Sequence, residues 1–465
     1  MLYLELDRSK KRSMTEQIYQ QLRGKVINGE LAGGVRLPSS RALSEELCVS
    51  RNTVLNALDM LVSEGLLESR IGSGVFVSTE AAALCKASKQ NKASSEPSDS
   101  SQFSEPAINF DSGIPALDHF PRSQWNKFAS RALFGAPDSA LGYDTPQGRP
   151  ELRQAIASWL ERSRGIHCSP DQILITSGAK QGLSLTAKCL LRPESAVWME
   201  DPCNANVRSI FSYYTKHLTP IAVDAFGIDP ENFPANSYPS LLFTTPSHQF
   251  PLGGTLPLQR RIALKQFAEN CGCWIVEDDY DSEFRYDGSP VRSIFELSPE
   301  RTIYVGTFSK VLCPSLRLGY LVLPASLVEQ FTEEKRLLDH HSNSIYQLAL
   351  AEFMKSGEFK KHIARMKKLY NARRLKLIAL LDELFPGEVV VYGQNAGMHL
   401  VAEFRQVSFS DELLLRLRRE GVIIVPVKKH SLLGGHDRQI ILGYANLDEK
   451  KMREGLTILK LCLNY

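Results

Sequence analysis

The chain has 465 residues, 43% hydrophobic and 23% charged, with a formal net charge of +3 at pH 7. That length fits two or three domains of roughly 100–200 residues each, and the composition excludes a disordered chain or a small disulfide scaffold. The first residues, MLYLELDRSKKRSM, lack an apolar signal core, and no run of eighteen apolar residues occurs, so neither secretion nor a membrane span is expected.

A charge so near neutrality places any nucleic-acid affinity in local patches. The nine cysteines contain no zinc-like C-x-x-C pair. Cys271 and Cys273, the tightest pair, flank an apolar run and read as packing residues. A reduced, cytoplasmic protein with no metal is the expectation.

In chain order, Ile18, Leu22 and Val26 recur at helical spacing, which predicts a helix from Thr15 to about Asn28. Gly33 and Gly34 break it, and Pro38-Ser39 punctuates the entry to a short helix over Arg41–Leu47. Ser50 suits the N-cap of a third helix that buries Val54, Leu58, Leu61 and Val62. Two extended runs follow, Leu66–Arg70 and Val75–Ser78, hinged at Gly72-Ser73-Gly74. Three helices and a hairpin make a winged helix-turn-helix.

In such readers the first residues of the motif's second helix reach base edges. Here they are Arg51, Asn52 and Thr53, behind the Ser50 cap. Arginine engages guanine bidentately and asparagine engages adenine the same way. Arg36 and Arg41 lie where phosphate contacts would orient the domain, and Gly72 marks the wing. Taken singly, each arginine is more simply a solvated surface charge. The order LPSSR, VSRNTV, EGLLESRIGSGVFV argues otherwise, because it resembles the DNA-binding domain of the GntR regulators from about residue 12 to 78. The resemblance implies double-stranded DNA as a partner and a reader over 12–79.

Residues 80–107 are rich in Ser, Ala, Lys and Glu and read as a flexible linker. Roughly 25 residues of coil would span about 25–30 Å, enough for one subunit's reader to lie over the other subunit.

From 108 to 465, apolar runs alternate with helical segments: QILITSG, SAVWMED, SLLFTTP, CWIVEDD, RTIYVGT and GYLVLP. Continuous apolar runs are the mark of buried parallel strands, so an α/β body with a mostly parallel sheet is expected, with its ligand site at the strand ends. Three strand ends carry unusual residues. Ser177-Gly178-Ala179-Lys180 follows QILIT, and a small-residue turn into a helix offers free N–H groups to a phosphate. Lys310, in TFSK, has Thr307, Ser309 and Arg317 nearby, a set that suits a phosphorylated aldehyde bound as a Schiff base. Asp278 ends WIVED and Tyr280 follows it, where a pyridine nitrogen and a phenolic oxygen would be met.

Each feature is ordinary alone. Together they resemble the class I aminotransferases of pyridoxal-phosphate (PLP) fold-type I, and more closely the MocR subfamily of GntR regulators, which join that body to a winged helix. FDSGIPALDHFP, LGYDTPQGRPELRQAIASWL, TTPSHQFPLGG, EDDYDSEFRY, FKKHIARMKKLYNARR and AGMHL follow in family order. The resemblance implies a large domain and a smaller C-terminal α/β domain. It implies pyridoxal 5'-phosphate as cofactor, with Lys310 as the catalytic Schiff-base lysine, Asp278 at the pyridine nitrogen and Tyr280 at the phenolic oxygen. It places Gly178, Ala179, Lys180, Ser309 and Arg317 around the phosphate. It also implies a homodimer in which Tyr143 reaches the neighbouring subunit's phosphate.

The chain departs from the enzymes at three places. Cys203-Asn204 follows EDP in place of a glycine and an aromatic, which leaves the ring-stacking residue unassigned. Phe250 replaces the asparagine before Pro251. Ile441 stands where the enzymes carry the arginine that binds the substrate α-carboxylate, and Arg438 is three residues away and should point to the other face. His399, His119 and Phe120 are further candidates for the pocket or its entrance, and Cys313 reads as packing. The expectation is a regulator whose body senses an amino compound or PLP itself. The alternative is a working aminotransferase with a DNA-binding appendage.

Overall fold

In the computed structural model, which describes residues 4–7, 12–70, 72–81, 108–287 and 292–463, the chain forms two units, 1–104 and 105–465. Most of the expected linker, residues 82–107, lies outside the described residues.

Serines start the first three helices of the N-terminal unit. Ser13 caps α1 (Met14–Ile27), Ser39 caps α2 (Ser40–Glu46) and Ser50 caps α3 (Arg51–Ser63), each accepting a backbone N–H of the first turn. Such caps contribute about 1 kcal/mol apiece. Helix α3 buries Val54, Ala57, Leu58 and Leu61, while Val62, expected inside, is only half-buried. The i, i+3, i+4, i+7 stripe falls on Ala57 and leaves Val62 at its edge. Strands β1 (Leu67–Arg70) and β2 (Gly74–Val77) pair antiparallel, with Gly72 in the turn between them.

The second unit opens at β3 (Ile108–Asn109). Its main sheet comprises β4 (Ile173–Thr176), β5 (Val197–Asp201), β6 (Leu218–Asp224), β7 (Gly227–Ile228), β8 (Leu241–Thr244), β9 (Trp274–Asp279), β10 (Thr302–Thr307) and β11 (Gly319–Val322). Their order across the sheet is β4-β11-β10-β9-β8-β5-β6-β7. The neighbours from β10 to β6 pair parallel. Strand β11 runs antiparallel to both of its neighbours, so GYLVLP is not one of the parallel strands expected. The connection 308–318 holds only a one-turn 3-10 helix, too short for the crossover that a parallel strand needs.

Both faces of the sheet are covered. Met199, Leu241, Phe243 and Val276 face α4 (Ala179–Leu190) in one core, and Trp198, Leu242 and Ile275 face α5 (Leu258–Cys271) in another. A four-stranded antiparallel sheet follows, in the order β12 (Val389–Tyr392), β13 (His399–Phe404), β16 (Gln439–Gly443), β15 (Val425–Pro426). Strand β14 (Val422–Ile423) pairs in parallel with β3, which ties the C-terminal part to the start of the body.

Candidate functional site

A cavity of about 260 Å³ opens at the C-terminal ends of the parallel strands, where ligands of such sheets bind. Lys310, just after β10, projects into it and donates to the carbonyl of Gly113 at 2.7 Å. A Cβ on Gly113 would lie 2.2 Å from the lysine nitrogen and would push that side chain aside, and the φ of +81° there also favours glycine. Burial lowers the Lys310 pKa, opposed by the charges of Asp281, Asp111 and Asp278. A lowered pKa raises the share of neutral, nucleophilic amine.

Asp278 lines the same cavity from the end of β9. Strand alternation sends its neighbours Glu277 and Asp279 to the opposite face. There Arg164 pairs with Asp279 at 2.9 Å, Tyr304 donates to the same carboxylate, and Arg261 lies 3.8 Å from Glu277. Asp278 is left with a buried Oδ1 that has no hydrogen-bond partner. Burial, then the charge of Asp279, pushes its pKa up to about 7. An orphaned buried acceptor of this kind is stabilised by any ligand that brings an N–H to it.

Tyr280 completes this wall. Its hydroxyl donates to the carbonyl of His248 at 2.9 Å and lies 3.1 Å from that residue's Nδ1. The imidazole Nδ1 bonds Asp281 at 3.0 Å. His399 lines the cavity too, with its Nε2 3.0 Å from the carbonyl of Pro251. Burial pulls the His399 pKa down to about 3, so the ring is neutral at ordinary pH. Candidate metal-ligand atoms of His248, Asp281 and His399 lie within 4.8 Å of one another. The His248–Asp281 pair backs Tyr280, whereas His399 bonds the Pro251 carbonyl and meets His248 only ring to ring, at 5.0 Å. Sequence reasoning passed over His248 and Asp281. The available signal was a polar Ser247-His248-Gln249 run closing an apolar strand.

The opposite wall suits an anion. Helix α4 begins at Ala179 with Gly178 as an N-cap that offers no side-chain bond, so its first N–H groups stay available. Ala179, Lys180, Thr307, Ser309 and Arg317 line the cavity around it. Gly178 does not line the cavity but shapes it, since a Cβ there would sit 3.0 Å from the Arg317 guanidinium. Lys180 reaches Asn206 at 3.4 Å, and Arg317 donates to the carbonyl of Ser177.

Other candidates fall outside. Tyr143 is 88% exposed, its ring 5.2 Å from that of His340, and it does not line this chain's cavity. His119 and Phe120 do not line it either: His119 lies 3.5 Å from Asp118 at the surface, and Phe120 packs on Trp125. Asn204 lines the cavity while Cys203 is buried beside it. Ile441 packs with Phe250, Val401 and Val427, and Arg438 is at the surface, donating to the carbonyl of Arg405. Lys180, Lys310 and Arg317 are therefore the lysines and arginines lining the cavity.

On the N-terminal unit, Arg51 and Asn52 are exposed at the start of α3, with Arg51 Nε 3.2 Å from the Ser40 hydroxyl. The Ser50 hydroxyl is engaged with the N–H and hydroxyl of Thr53, so these two residues build the cap. Arg41 is exposed and 3.4 Å from Glu45. Arg36 is exposed and bridges to Phe76 in the wing.

Residues 14–77 match the family of bacterial regulatory proteins called gntR, and residues 105–459 match aminotransferase class I and II. The probable rhizopine catabolism regulatory protein MocR of Rhizobium meliloti is 35% identical, over 98% of this chain and 95% of its own. The HTH-type pyridoxine biosynthesis transcriptional regulator PdxR of Corynebacterium glutamicum is 32% identical, over 95% and 94%. Among solved structures, LysN, an α-aminoadipate aminotransferase from Thermus thermophilus complexed with N-(5'-phosphopyridoxyl)-L-leucine, is similar at a TM-score of 0.71 and 29% identity. That match covers 77% of this chain and 92% of LysN.

Proposed function

The chain belongs to the MocR-type regulators of the GntR family, and from that membership we propose a DNA-binding transcriptional regulator that uses pyridoxal 5'-phosphate to sense a small amino compound or the cofactor itself. The observation that carries the cofactor is the pairing, in one cavity, of Lys310 with the orphaned Oδ1 of Asp278.

When bound, the cofactor would supply an aldehyde for covalent capture of an amine and an electron-withdrawing ring. Lys310 would hold the aldehyde carbon. Asp278, ionised, would hold the pyridinium proton, and Tyr280, turning its one hydroxyl proton from the His248 carbonyl, would donate to the phenolic oxygen. Ala179, Lys180, Ser309 and Arg317 would receive the phosphate beside the turn that Gly178 shapes, where two cations and a helix N-terminus oppose its charge. Ile441, buried behind the cavity with Phe250, Val401 and Val427, offers no anchor for an α-carboxylate, which favours sensing over turnover of ordinary amino acids.

The reader over 12–79 presents Arg51 and Asn52 to base edges, Arg36 and Arg41 to phosphates, and Gly72 in the wing. Ser50 and Thr53 fix the start of that helix. Residues 80–107 serve as the tether and 108–465 as the effector body. Phe134, Leu141 and Tyr143 are exposed, in keeping with a homodimer in which Tyr143 serves the partner's phosphate. Among the described residues no helix is long and apolar enough to cross a membrane. We place the protein in the cytoplasm, where its DNA and a reduced thiol pool are found.

Borohydride reduction of the PLP-loaded protein, followed by peptide mass mapping, tests the cofactor. Modification at Lys310 is expected. A modified lysine elsewhere, or none, refutes the assignment.

A further inference from the structure

A helix remote in sequence is joined by hydrogen bonds to the turn beside the anion-suited wall of the cavity. Helix α6 (Val328–Asp339) carries Lys335, whose side chain is fully buried and bonds Asp339 Oδ1 at 2.6 Å. The other carboxylate oxygen of Asp339 accepts from Gln181 Nε2 at 2.7 Å. Gln181 Oε1 in turn accepts the N–H of Ser177 at 2.7 Å, and the carbonyl of Ser177 accepts from Arg317. The residue just before Gly178-Ala179-Lys180 is thus gripped through both its N–H and its carbonyl.

We propose that Asp339 is a positioning residue for the phosphate-binding turn, acting through Gln181, and that it thereby selects a phosphorylated ligand over the same ligand without its phosphate. A side-chain amide has two orientations of nearly equal shape. A carboxylate only accepts hydrogen bonds, so Asp339 forces the amide NH2 toward itself and the amide oxygen toward Ser177. The buried ammonium of Lys335 fixes that carboxylate, because a buried cation is stable only when paired. Neither Asp339 nor Lys335 lines the cavity. Both act at a distance on the turn whose N–H groups would meet the phosphate.

This inference rests on the cofactor reading of the cavity, and the test separates the two. Full-length protein stripped of cofactor is titrated with PLP and with pyridoxal, which shares the ring and aldehyde but lacks the phosphate, and binding is followed by absorbance. The variants are Asp339→Asn, Gln181→Leu and the double. Each single change should weaken PLP about tenfold, the scale of one charge-assisted hydrogen bond, and leave pyridoxal within about twofold. The double should be no worse than either single, because both cut one chain of contacts. Gln181→Leu keeps the Lys335–Asp339 pair and carries the test should Asp339→Asn fail to fold. Unchanged PLP affinity in the folded variants, an equal loss for both ligands, or additive losses overturn the positioning role while leaving the cofactor reading intact. Unmodified protein that binds neither ligand overturns both.

Discussion

The two units use their functional residues in opposite ways. The reader holds Arg51 and Asn52 outward from one short helix, with their caps and core supplied by immediate neighbours. The body turns Lys310, Asp278 and His399 inward: Lys310 and His399 are held by the distant carbonyls of Gly113 and Pro251, and Asp278 keeps a buried Oδ1 with no partner. An outward site can lose a side chain without harm to the fold. An inward site stores unpaired charge, and its residues affect stability as well as binding.

The largest contrast is expected at Lys310. Lys310→Ala should abolish covalent PLP attachment entirely while DNA binding by the N-terminal unit persists. Absorbance after dialysis, beside an anisotropy titration with DNA, shows both. Complete loss of DNA binding, beyond the several-fold shift that coupling between the units allows, would mean that the reader depends on the body to fold.

Asp278 tests whether the inward site costs stability. An acid whose pKa is raised from 3.8 to about 7 on folding holds its proton more tightly in the folded chain. Ionisation therefore opposes folding, increasingly from about pH 4 to pH 7 and fully above, by roughly 4 kcal/mol. Asp278→Asn should raise the Tm of cofactor-free protein, more at pH 8 than at pH 5, and weaken PLP binding. Equal Tm changes at the two pH values would contradict the raised pKa.

On the outward side the effects are smaller and concern DNA alone. Arg51→Ala should cost about 1–3 kcal/mol in operator affinity, relax base preference and leave Tm nearly unchanged. Arg41→Ala should weaken all sequences alike and reduce the salt slope by about one. Anisotropy titrations against operator and scrambled duplexes at several salt concentrations distinguish the two.

The same contrast explains what the sequence disclosed. The reader's helices, caps and wing are local, so their limits came within a residue or two. Lys310, Asp278 and Arg317 were legible because strand ends in such sheets carry ligands. His248, Asp281, Asp339 and Lys335 were not, because each acts through a hydrogen bond whose partner no local pattern announces. The antiparallel β11 was missed because an apolar run has no direction, and only the short 308–318 connection betrays it. Tyr143 illustrates a further limit, since its expected ligand belongs to another subunit.

The central claim is that the cofactor-holding body governs the DNA-binding unit. It is tested most directly by titrating full-length protein onto duplex DNA from its own promoter region, cofactor-free and PLP-loaded, at one salt concentration. The account predicts affinities that differ by at least about fivefold between the two states, or on adding an amine to the loaded state, the scale of ordinary allosteric coupling. Identical affinities in every state would contradict it.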